Sequence, residues 1–307
     1  MQSIAEDEVR RRLDPAALIA ALEAAFRDRF PHCRLPARTH IPTLAGVALV
    51  MPCYDASRNA LGLKLVAVSE KPARPGDLVL ATYLLLDPST GQPTLQIAAN
   101  YLTDVRTAAT SALATKLLAR GDSHTLGLFG CGRQARAHAR VLPLVRRFQR
   151  ILVCGLDQSE ANSFAREVSA ELHLPVEPSD ASAVAAESDV LCTCTTAHEP
   201  FFDGRLLRPG THLNLIGAFQ PHTREVDSVC IQRARLYVDT YDAALAEAGE
   251  ILIPLREGRI GRDHVIADLH ELVSGKKPAR RNPEEITIFK SVGCALEDLV
   301  AAELLLQ

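Results

Sequence analysis

The spacing of apolar residues predicts one helix followed by several strands in the first hundred residues. Helical spacing holds over residues 14–29, where Asp14 is a candidate cap and Pro15 suits the first turn. The period then changes to short apolar runs, which predict strands at 47–51, 61–68, 78–86 and 94–99. Short connections between consecutive strands favour an antiparallel or mixed sheet.

A helical pattern returns over residues 103–120, with Thr103 as a candidate cap and Gly121 as a candidate stop. Beyond it, short apolar runs alternate with helical segments. The predicted strands are 126–129, 151–154, 190–194, 212–216 and 236–238, and the predicted helices are 133–147, 159–172 and 181–187. This alternation is typical of a parallel, doubly wound sheet, so the predicted fold class is α/β. Helical spacing also predicts a last helix over 284–305.

Length and composition indicate a globular protein with about two domains. The chain has 307 residues, and a single core stops growing at roughly 250–300 residues. A formal net charge of −3 gives no reason to expect nucleic acid or an anionic membrane as a partner. The N-terminal segment carries acids where a signal peptide needs bases, and no apolar run reaches the roughly 20 residues of a membrane span. Eight scattered cysteines favour reduced thiols, so we expect a cytoplasmic protein without a metal site.

The segment that follows the predicted strand 126–129 carries the strongest chemical signal. Gly130, Gly132 and Ala135 form the G-x-G-x-x-A pattern of a dinucleotide-binding turn, between a strand and a helix. The first glycine permits a tight turn, the second lets the backbone approach a pyrophosphate, and the alanine lets helix and strand pack closely. An ordinary strand–helix turn is the weaker alternative.

The next strand ends near an acid that bears on cofactor choice. Asp157 lies 25 residues beyond Gly132, where an acid usually holds the ribose 2′-hydroxyl. It would repel a 2′-phosphate, which favours NAD, while Arg133 is close enough in sequence to serve the phosphate of NADP. The alternative is that Asp157 only caps the helix that begins near Ser159.

Three bases stand among apolar neighbours in the first part of the chain. Alternation places Lys64 on one face of its strand with Val66 and Val68, and Arg106 shares a largely apolar helix face. Arg38 lies just before the predicted sheet. Cations on apolar faces are costly unless they meet an anion, so the residues indicate either a carboxylate-binding pocket or a set of structural salt bridges. Patterning alone does not separate the two.

Several segments resemble the ornithine cyclodeaminase/mu-crystallin family. The most specific is Asn-Tyr-Leu-Thr-Asp-Val-Arg-Thr-Ala-Ala-Thr-Ser-Ala-Leu-Ala at residues 100–114, which is similar to the family's LTxxRTAAxSALA helix. The other matching segments are 62–64, 130–135, 247–254 and 287–293. They occur in the family's order over nearly the whole chain.

The resemblance implies a two-lobed homodimer that moves hydride between nicotinamide C4 and the α-carbon of an amino or imino acid. Residues 1–114 and 288–307 would form a substrate-binding and dimerisation domain, and residues 115–287 a Rossmann NAD(P)-binding domain. Lys64 and Arg106 would be catalytic and, with Arg38, would hold the substrate carboxylate; Lys64 would also exchange a proton at the reacting nitrogen. The predicted cofactor-binding residues are Gly130, Gly132, Arg133, Gln134, Ala135, Asp157, Thr195 and Gly217.

One departure from the family pattern affects the choice of reaction. Family cyclodeaminases carry an amine-handling Asp two residues after the glycine that here is Gly217, and this chain has Phe219, a predicted substrate-binding residue. A phenyl ring suits a neutral cyclic substrate, although Glu225 or Asp227 could supply a carboxylate instead. We therefore expect an NAD(P)H-dependent reductase of a cyclic imino acid of the Δ1-pyrroline-2-carboxylate or Δ1-piperideine-2-carboxylate type. The alternatives are ornithine cyclodeaminase or a related amino-acid dehydrogenase, and thirdly a cofactor-binding, crystallin-like protein with weak catalysis.

Overall fold

A computed structural model describes residues 1–69 and 78–306. The strands are β1 (Gln2–Ile4), β2 (Cys33–Arg34), β3 (Thr39–Thr43), β4 (Gly46–Asp55), β5 (Ala60–Ser69), β6 (Val79–Leu86), β7 (Pro93–Ala98), β8 (Thr125–Phe129), β9 (Arg150–Cys154), β10 (Val176–Pro178), β11 (Val190–Thr193), β12 (His212–Leu215), β13 (Ala234–Val238), β14 (Val265–Asp268) and β15 (Ile286–Lys290). The α-helices are α1 (Glu6–Arg12), α2 (Pro15–Ala24), α3 (Asn100–Leu118), α4 (Arg133–Val141), α5 (Gln158–Leu172), α6 (Ala181–Glu187), α7 (Ser228–Arg233), α8 (Tyr241–Glu247), α9 (Gly249–Arg256), α10 (Leu269–Val273) and α11 (Ala295–Leu304).

These elements divide into two compact units. The first unit comprises residues 1–110 and 293–307, and the second comprises residues 111–292. The limits differ by a few residues from the predicted domains, because β15 belongs to the second unit. The assignment of substrate binding to one unit and of cofactor binding to the other stays a prediction.

The first unit is built on a mixed sheet. In the described residues its strand order is β1-β7-β6-β5-β4-β2, and β3 pairs with β4 off this path. The strands from β4 to β7 pair antiparallel, as the short connections predicted. Register places Lys64 between Met51 on β4 and Tyr83 on β6, all three on the buried face. Helix α11 packs on this face against β4, β5 and β6.

The second unit is the predicted doubly wound parallel sheet, a Rossmann-type arrangement. Its order is β10-β9-β8-β11-β12-β15-β13-β14, and every described pair is parallel. The direction of winding reverses between β8 and β11. In such sheets a ligand binds at the carboxyl ends of the strands on either side of the reversal. The loops after β8, β11 and β12 therefore lie where a dinucleotide is expected.

The predicted last helix is wrong over its first half. Residues 286–290 form β15 between β12 and β13, and α11 starts only at Ala295. Both faces of β15 are buried, so its residues show no polar alternation, and a short apolar strand cannot be told from a helix by periodicity alone. Gly293, at φ +97°, turns the chain between the strand and the helix.

Two other helix boundaries are also wrong. Thr103 is not a cap, because α3 already begins at Asn100 and the Thr103 amide donates to the Ala99 carbonyl within the helix. The predicted helix 133–147 ends as α4 at Val141, since Pro143 diverts the chain into a short 3₁₀ turn. Within residues 1–69 and 78–306, no helix is both long and apolar enough to cross a membrane. The cytoplasmic location stays a prediction.

Candidate active site

The glycine turn of the second unit has the geometry that its sequence predicts. Gly130 lies at φ +93°, a conformation that favours glycine, and a Cβ there would be 2.5 Å from the Cys194 carbonyl oxygen. The turn after β8 therefore passes directly against the chain that leaves β11. No larger residue fits at position 130 without moving one of these two loops.

Gly132 and Ala135, the other two small residues of the motif, have different structural roles from Gly130. A Cβ at Gly132 would meet no atom within 4 Å, so this glycine leaves open space beside the first turn of α4. No side chain caps α4, and its first N–H groups and positive dipole end can receive a phosphate. Ala135 is fully buried, which lets α4 pack closely on the sheet. These features fit the pyrophosphate of a dinucleotide.

Two residues are predicted to affect the choice between NAD and NADP: Arg133 in the first turn of α4, and Asp157 after the next strand, β9. The Asp157 side chain accepts a hydrogen bond of 2.8 Å from the Glu160 amide, so it caps α5, the alternative that the sequence left open. Its side chain is exposed at the end of β9, which leaves it accessible to a ribose. Arg133 and Gln134 are half-buried in the first turn of α4.

The two remaining cofactor-binding predictions, Thr195 and Gly217, are joined by a carboxylate. Glu225 accepts hydrogen bonds from the Thr195 amide at 2.9 Å and from the Thr195 hydroxyl at 2.8 Å. It also accepts from the Gly217 amide at 2.8 Å. The carboxylate is fully buried and is committed to these donors. It therefore does not replace the family's amine-handling Asp, which the sequence left possible.

Phe219 lies in the same loop after β12 and is half-buried. The other carboxylate considered for this place, Asp227, accepts from the Cys230 amide at 2.7 Å and from the Gly204 amide at 3.0 Å. Asp227 thus caps α7 rather than serving an amine. The contact between Phe219 and a substrate stays a prediction.

In the first unit, Lys64 and Arg106 lie together and both are buried. Lys64 Nζ donates to Asp298 Oδ1 at 2.7 Å, and Arg106 Nε lies 3.0 Å from the same oxygen. Arg106 Nη1 donates to Glu297 Oε2 at 2.5 Å. Both acids lie in the first turn of α11. The structure therefore shows the buried salt bridges, one of the two sequence alternatives, and a carboxylate-binding role for these cations stays a prediction.

Burial changes the acid–base chemistry of this cluster. The pKa of Lys64 is lowered to about 8, first by desolvation and then by the positive charge of Arg106, while Asp298 opposes both. A lysine in this range holds its proton at neutral pH and releases it readily to a bound base. Lys64 is thus suited to exchange a proton close to neutrality.

Arg38 lies at the edge of this region. It directly precedes β3, whose first residue, Thr39, pairs with Val50 on β4. The next residue of β4, Met51, pairs with Lys64 on β5. The Arg38 side chain is half-buried. Its contact with a substrate carboxylate stays a prediction.

Sequence reasoning missed Glu297 and Asp298. Both are fully buried acids on a helix that is otherwise apolar apart from Glu303. The rule that singled out Lys64, a charge among apolar neighbours, applies equally to them and would have found them. Assigning the whole tail to one helix obscured the start of α11 and hence the face on which they lie.

Metal-binding groups are not found in the described residues, where no cluster of three or more His, Cys, Asp or Glu could hold an ion. Cys192 and Cys194, the one close pair of cysteines in the sequence, are free thiols. Burial raises the pKa of each thiol, which keeps both protonated.

A Rossmann turn in one unit and a buried lysine–arginine cluster in the other are features of nicotinamide-dependent enzymes that act on amino or imino acids. A sequence model of the ornithine cyclodeaminase/mu-crystallin family matches residues 1–307. The chain belongs to this family.

Three relatives illustrate the similarity. Ketimine reductase mu-crystallin of Mus musculus is 37% identical over 311 residues, covering 98% of this chain and 95% of the relative. The structure of Thermococcus litoralis Δ1-pyrroline-2-carboxylate reductase in complex with NADH and L-proline is 36% identical, with a TM-score of 0.96, covering 99% of this chain and 96% of that one. An archaeal alanine dehydrogenase dimer with bound NAD is 29% identical, with a TM-score of 0.92 over 99% and 94% of the two chains.

Proposed function

We propose that this protein is an NAD(P)H-dependent reductase of cyclic imino acids of the Δ1-pyrroline-2-carboxylate or Δ1-piperideine-2-carboxylate type. The observation that carries the proposal is the buried Lys64–Arg106 cluster in a chain that also has a complete dinucleotide turn. The similarity to a reductase whose structure contains NADH and L-proline supports it. We take NAD as the preferred cofactor, because Asp157 would repel a 2′-phosphate.

The residues divide the work as follows. Gly130, Gly132 and the start of α4 would hold the pyrophosphate, and the loops at Thr195 and Gly217 would hold the nicotinamide half. Bound reduced nicotinamide supplies the hydride that the α-carbon of the imine receives. Hydride and one proton convert the C=N bond to an amine, so the protein must deliver that proton.

Lys64 is the group that we assign to the proton transfer. Because its pKa of about 8 is still above neutral pH, Nζ holds a proton there, and because the pKa is lowered, Nζ releases that proton readily to the imine nitrogen. The guanidinium of Arg106, fixed by Glu297, would orient the substrate carboxylate together with Arg38. Fixed charge and orientation would supply most of the rate enhancement.

The loop after β12 favours reduction over cyclodeamination. Cyclodeamination needs a group that handles the distal amine of the substrate, and Phe219 offers neither charge nor a proton. The nearby acids Glu225 and Asp227 are committed to backbone amides. An apolar ring at position 219 instead suits the methylene groups of a cyclic imine.

The test is a pair of assays on the purified protein. Δ1-pyrroline-2-carboxylate or Δ1-piperideine-2-carboxylate is supplied with NADH or NADPH, and the loss of nicotinamide absorbance is followed. In parallel, ornithine is supplied with NAD, and ammonia is measured. We expect imine-dependent oxidation of NADH and no ammonia. Release of ammonia without reductase activity would refute the proposal in favour of cyclodeamination, and cofactor binding without either activity would favour a crystallin-like protein.

We also propose that the protein is a homodimer formed through the first unit. One face of its sheet exposes large apolar side chains, with Ile41 47%, Leu65 42% and Leu80 46% exposed. Contiguous exposed apolar surface on a sheet commonly marks a protein interface. Light scattering should give the mass of a dimer for the wild type and of a monomer for Leu80→Glu, whereas a monomeric wild type would exclude this assembly.

A further inference from the structure

Glu225 makes more hydrogen bonds than a capping or surface carboxylate requires. Five donors among the described residues lie within 3.3 Å of it: the amides of Thr195, Gly217 and Ala218, and the hydroxyls of Thr193 and Thr195. The closest is the Thr193 hydroxyl at 2.6 Å. Glu225 is fully buried, so this set replaces water as its solvation.

The donors come from two separate loops. Thr193 and Thr195 lie at and beyond the end of β11, and Gly217 and Ala218 follow β12. The loops touch, because a Cβ at Gly217 would be only 2.2 Å from the Thr195 carbonyl oxygen. Glu225 is therefore the bridge between two neighbouring loops at the carboxyl edge of the parallel sheet.

A second set of contacts, through Glu250 and Lys290, holds the backbone next to this bridge in place. The Glu225 amide donates to Glu250 Oε1 at 3.3 Å, and Glu250 pairs with Lys290 Nζ at 3.2 Å. Lys290 Nζ donates in turn to the Ala218 carbonyl at 2.5 Å. Both peptide groups of Ala218 are thus held, its amide by Glu225 and its carbonyl by Lys290. Phe219 follows directly on this fixed residue.

We propose that Glu225 is a positioning residue for the nicotinamide half of the dinucleotide, because it locks the loops at Thr195 and at Gly217–Ala218 into one arrangement. This inference rests on the proposed function, which assigns these loops to the cofactor. Glu225 itself need not touch the cofactor. The adenosine and pyrophosphate half would be held by the turn at Gly130 and the start of α4, which supply none of the hydrogen bonds that Glu225 accepts from the described residues.

A substitution at Glu225 can disturb these hydrogen bonds while it preserves the shape of the side chain. Both oxygens of Glu225 accept hydrogen bonds, so Glu225→Gln keeps the shape and places an NH₂ group against donors at one of the two loops. That loop must then move to relieve the conflict. A bridge that only stabilised the fold would affect both halves of the cofactor equally.

The experiment compares two ligands by calorimetry. NADH needs both halves of the site, whereas ADP-ribose lacks the nicotinamide. In Glu225→Gln, we expect the Kd of NADH to rise by roughly tenfold or more, and that of ADP-ribose to stay within about twofold. Thr193→Val removes a single donor to Glu225 and should give the same separation with a smaller loss, even if the first variant folds poorly.

Asp227→Asn is the matched control, because Asp227 is a nearby carboxylate that caps α7 and accepts its hydrogen bonds from the Cys230 and Gly204 amides, which lie outside both loops. It should lower thermal stability without separating the two ligands. Equal weakening of NADH and ADP-ribose in Glu225→Gln, or no change in either, would overturn the inference. Binding is measured without turnover, so a separation of the two ligands in a protein that reduces no imine would refute only the proposed reaction. A wild type that binds neither ligand would refute both.

Discussion

Asp298→Asn tests whether the buried pair sets the protonation of Lys64. Asp298 Oδ1 accepts from Lys64, while Oδ2 accepts no hydrogen bond from the described residues. Asn can therefore keep its carbonyl toward Lys64 and place its NH₂ on the other side. The substitution removes the negative charge and preserves the shape and the hydrogen bond.

The expected magnitude follows from the distance. The charges lie 2.7 Å apart, and an opposite charge at such a range shifts a pKa by roughly 1–3 pH units. Loss of the charge should lower the pKa of Lys64 from about 8 to between about 5 and 7. Imine reduction needs the protonated amine, so activity falls as the pH rises through this pKa. At pH 7 we expect a loss of roughly two- to 90-fold, which is recovered as the pH is lowered.

The assay is the pH dependence of kcat/KM for imine reduction in the wild type and the variant. The titration of the free substrate is common to both and cancels in the comparison. Glu297→Gln is the control, because Glu297 pairs with Arg106 and contributes least among the charges that act on Lys64. It should move the alkaline limb less. If Asp298→Asn folds and its alkaline limb coincides with that of the wild type, Lys64 is not the proton donor.

Three further substitutions test the rest of the site. Lys64→Ala should abolish turnover and lower the free energy of unfolding by about 3–5 kcal/mol, because the buried acids Glu297 and Asp298 must then share Arg106. The exposed Lys116→Ala should do neither, and retained turnover in Lys64→Ala would contradict the proton-transfer role. Phe219→Asp should lower the steady-state rate of imine reduction, because it would place a charge beside the methylene groups of the cyclic substrate. An unchanged rate would mean that the side chain at position 219 lies away from the substrate. Gly130→Ala should lower both melting temperature and NADH affinity, because its Cβ meets a carbonyl at 2.5 Å, but Gly132→Ala should lower NADH affinity alone; equal melting temperatures for the two variants would contradict the geometry.

Periodicity predicts the first half of the second unit well. Alternation of apolar strands with helical segments defines the order of β8, α4, β9 and α5, because Gly130 and Gly155 separate the short buried strands from helices that show their period. β15 fails this test, since a strand buried on both faces has no polar alternation, and its neighbours β12 and β13 are distant in sequence. The spacing of apolar residues within a short segment cannot predict strand pairing between segments that are this far apart in the sequence.

Sequence predicted those site residues whose charge contrasts with the apolar residues around them in the chain. Lys64 and Arg106 stand out because each is a cation among apolar neighbours. Their partners on α11 lie nearly two hundred residues or more along the chain, and only the folded sheet brings them to the same place. Sequence therefore indicated that an anion must meet these cations, but could not say that the chain supplies two of its own.

The discontinuity of the first unit has a consequence for how the protein is made. Its sheet is synthesised early, yet helix α11, which packs on that sheet, is made only after the second unit has been translated. Until α11 is synthesised, Lys64 and Arg106 lack their counter-charges Glu297 and Asp298. Burying a cation without a counter-charge is costly. The second unit can fold first as a continuous segment, and docking of α11 ends the process. Loss of this short segment would leave a folded second unit attached to an incomplete first unit.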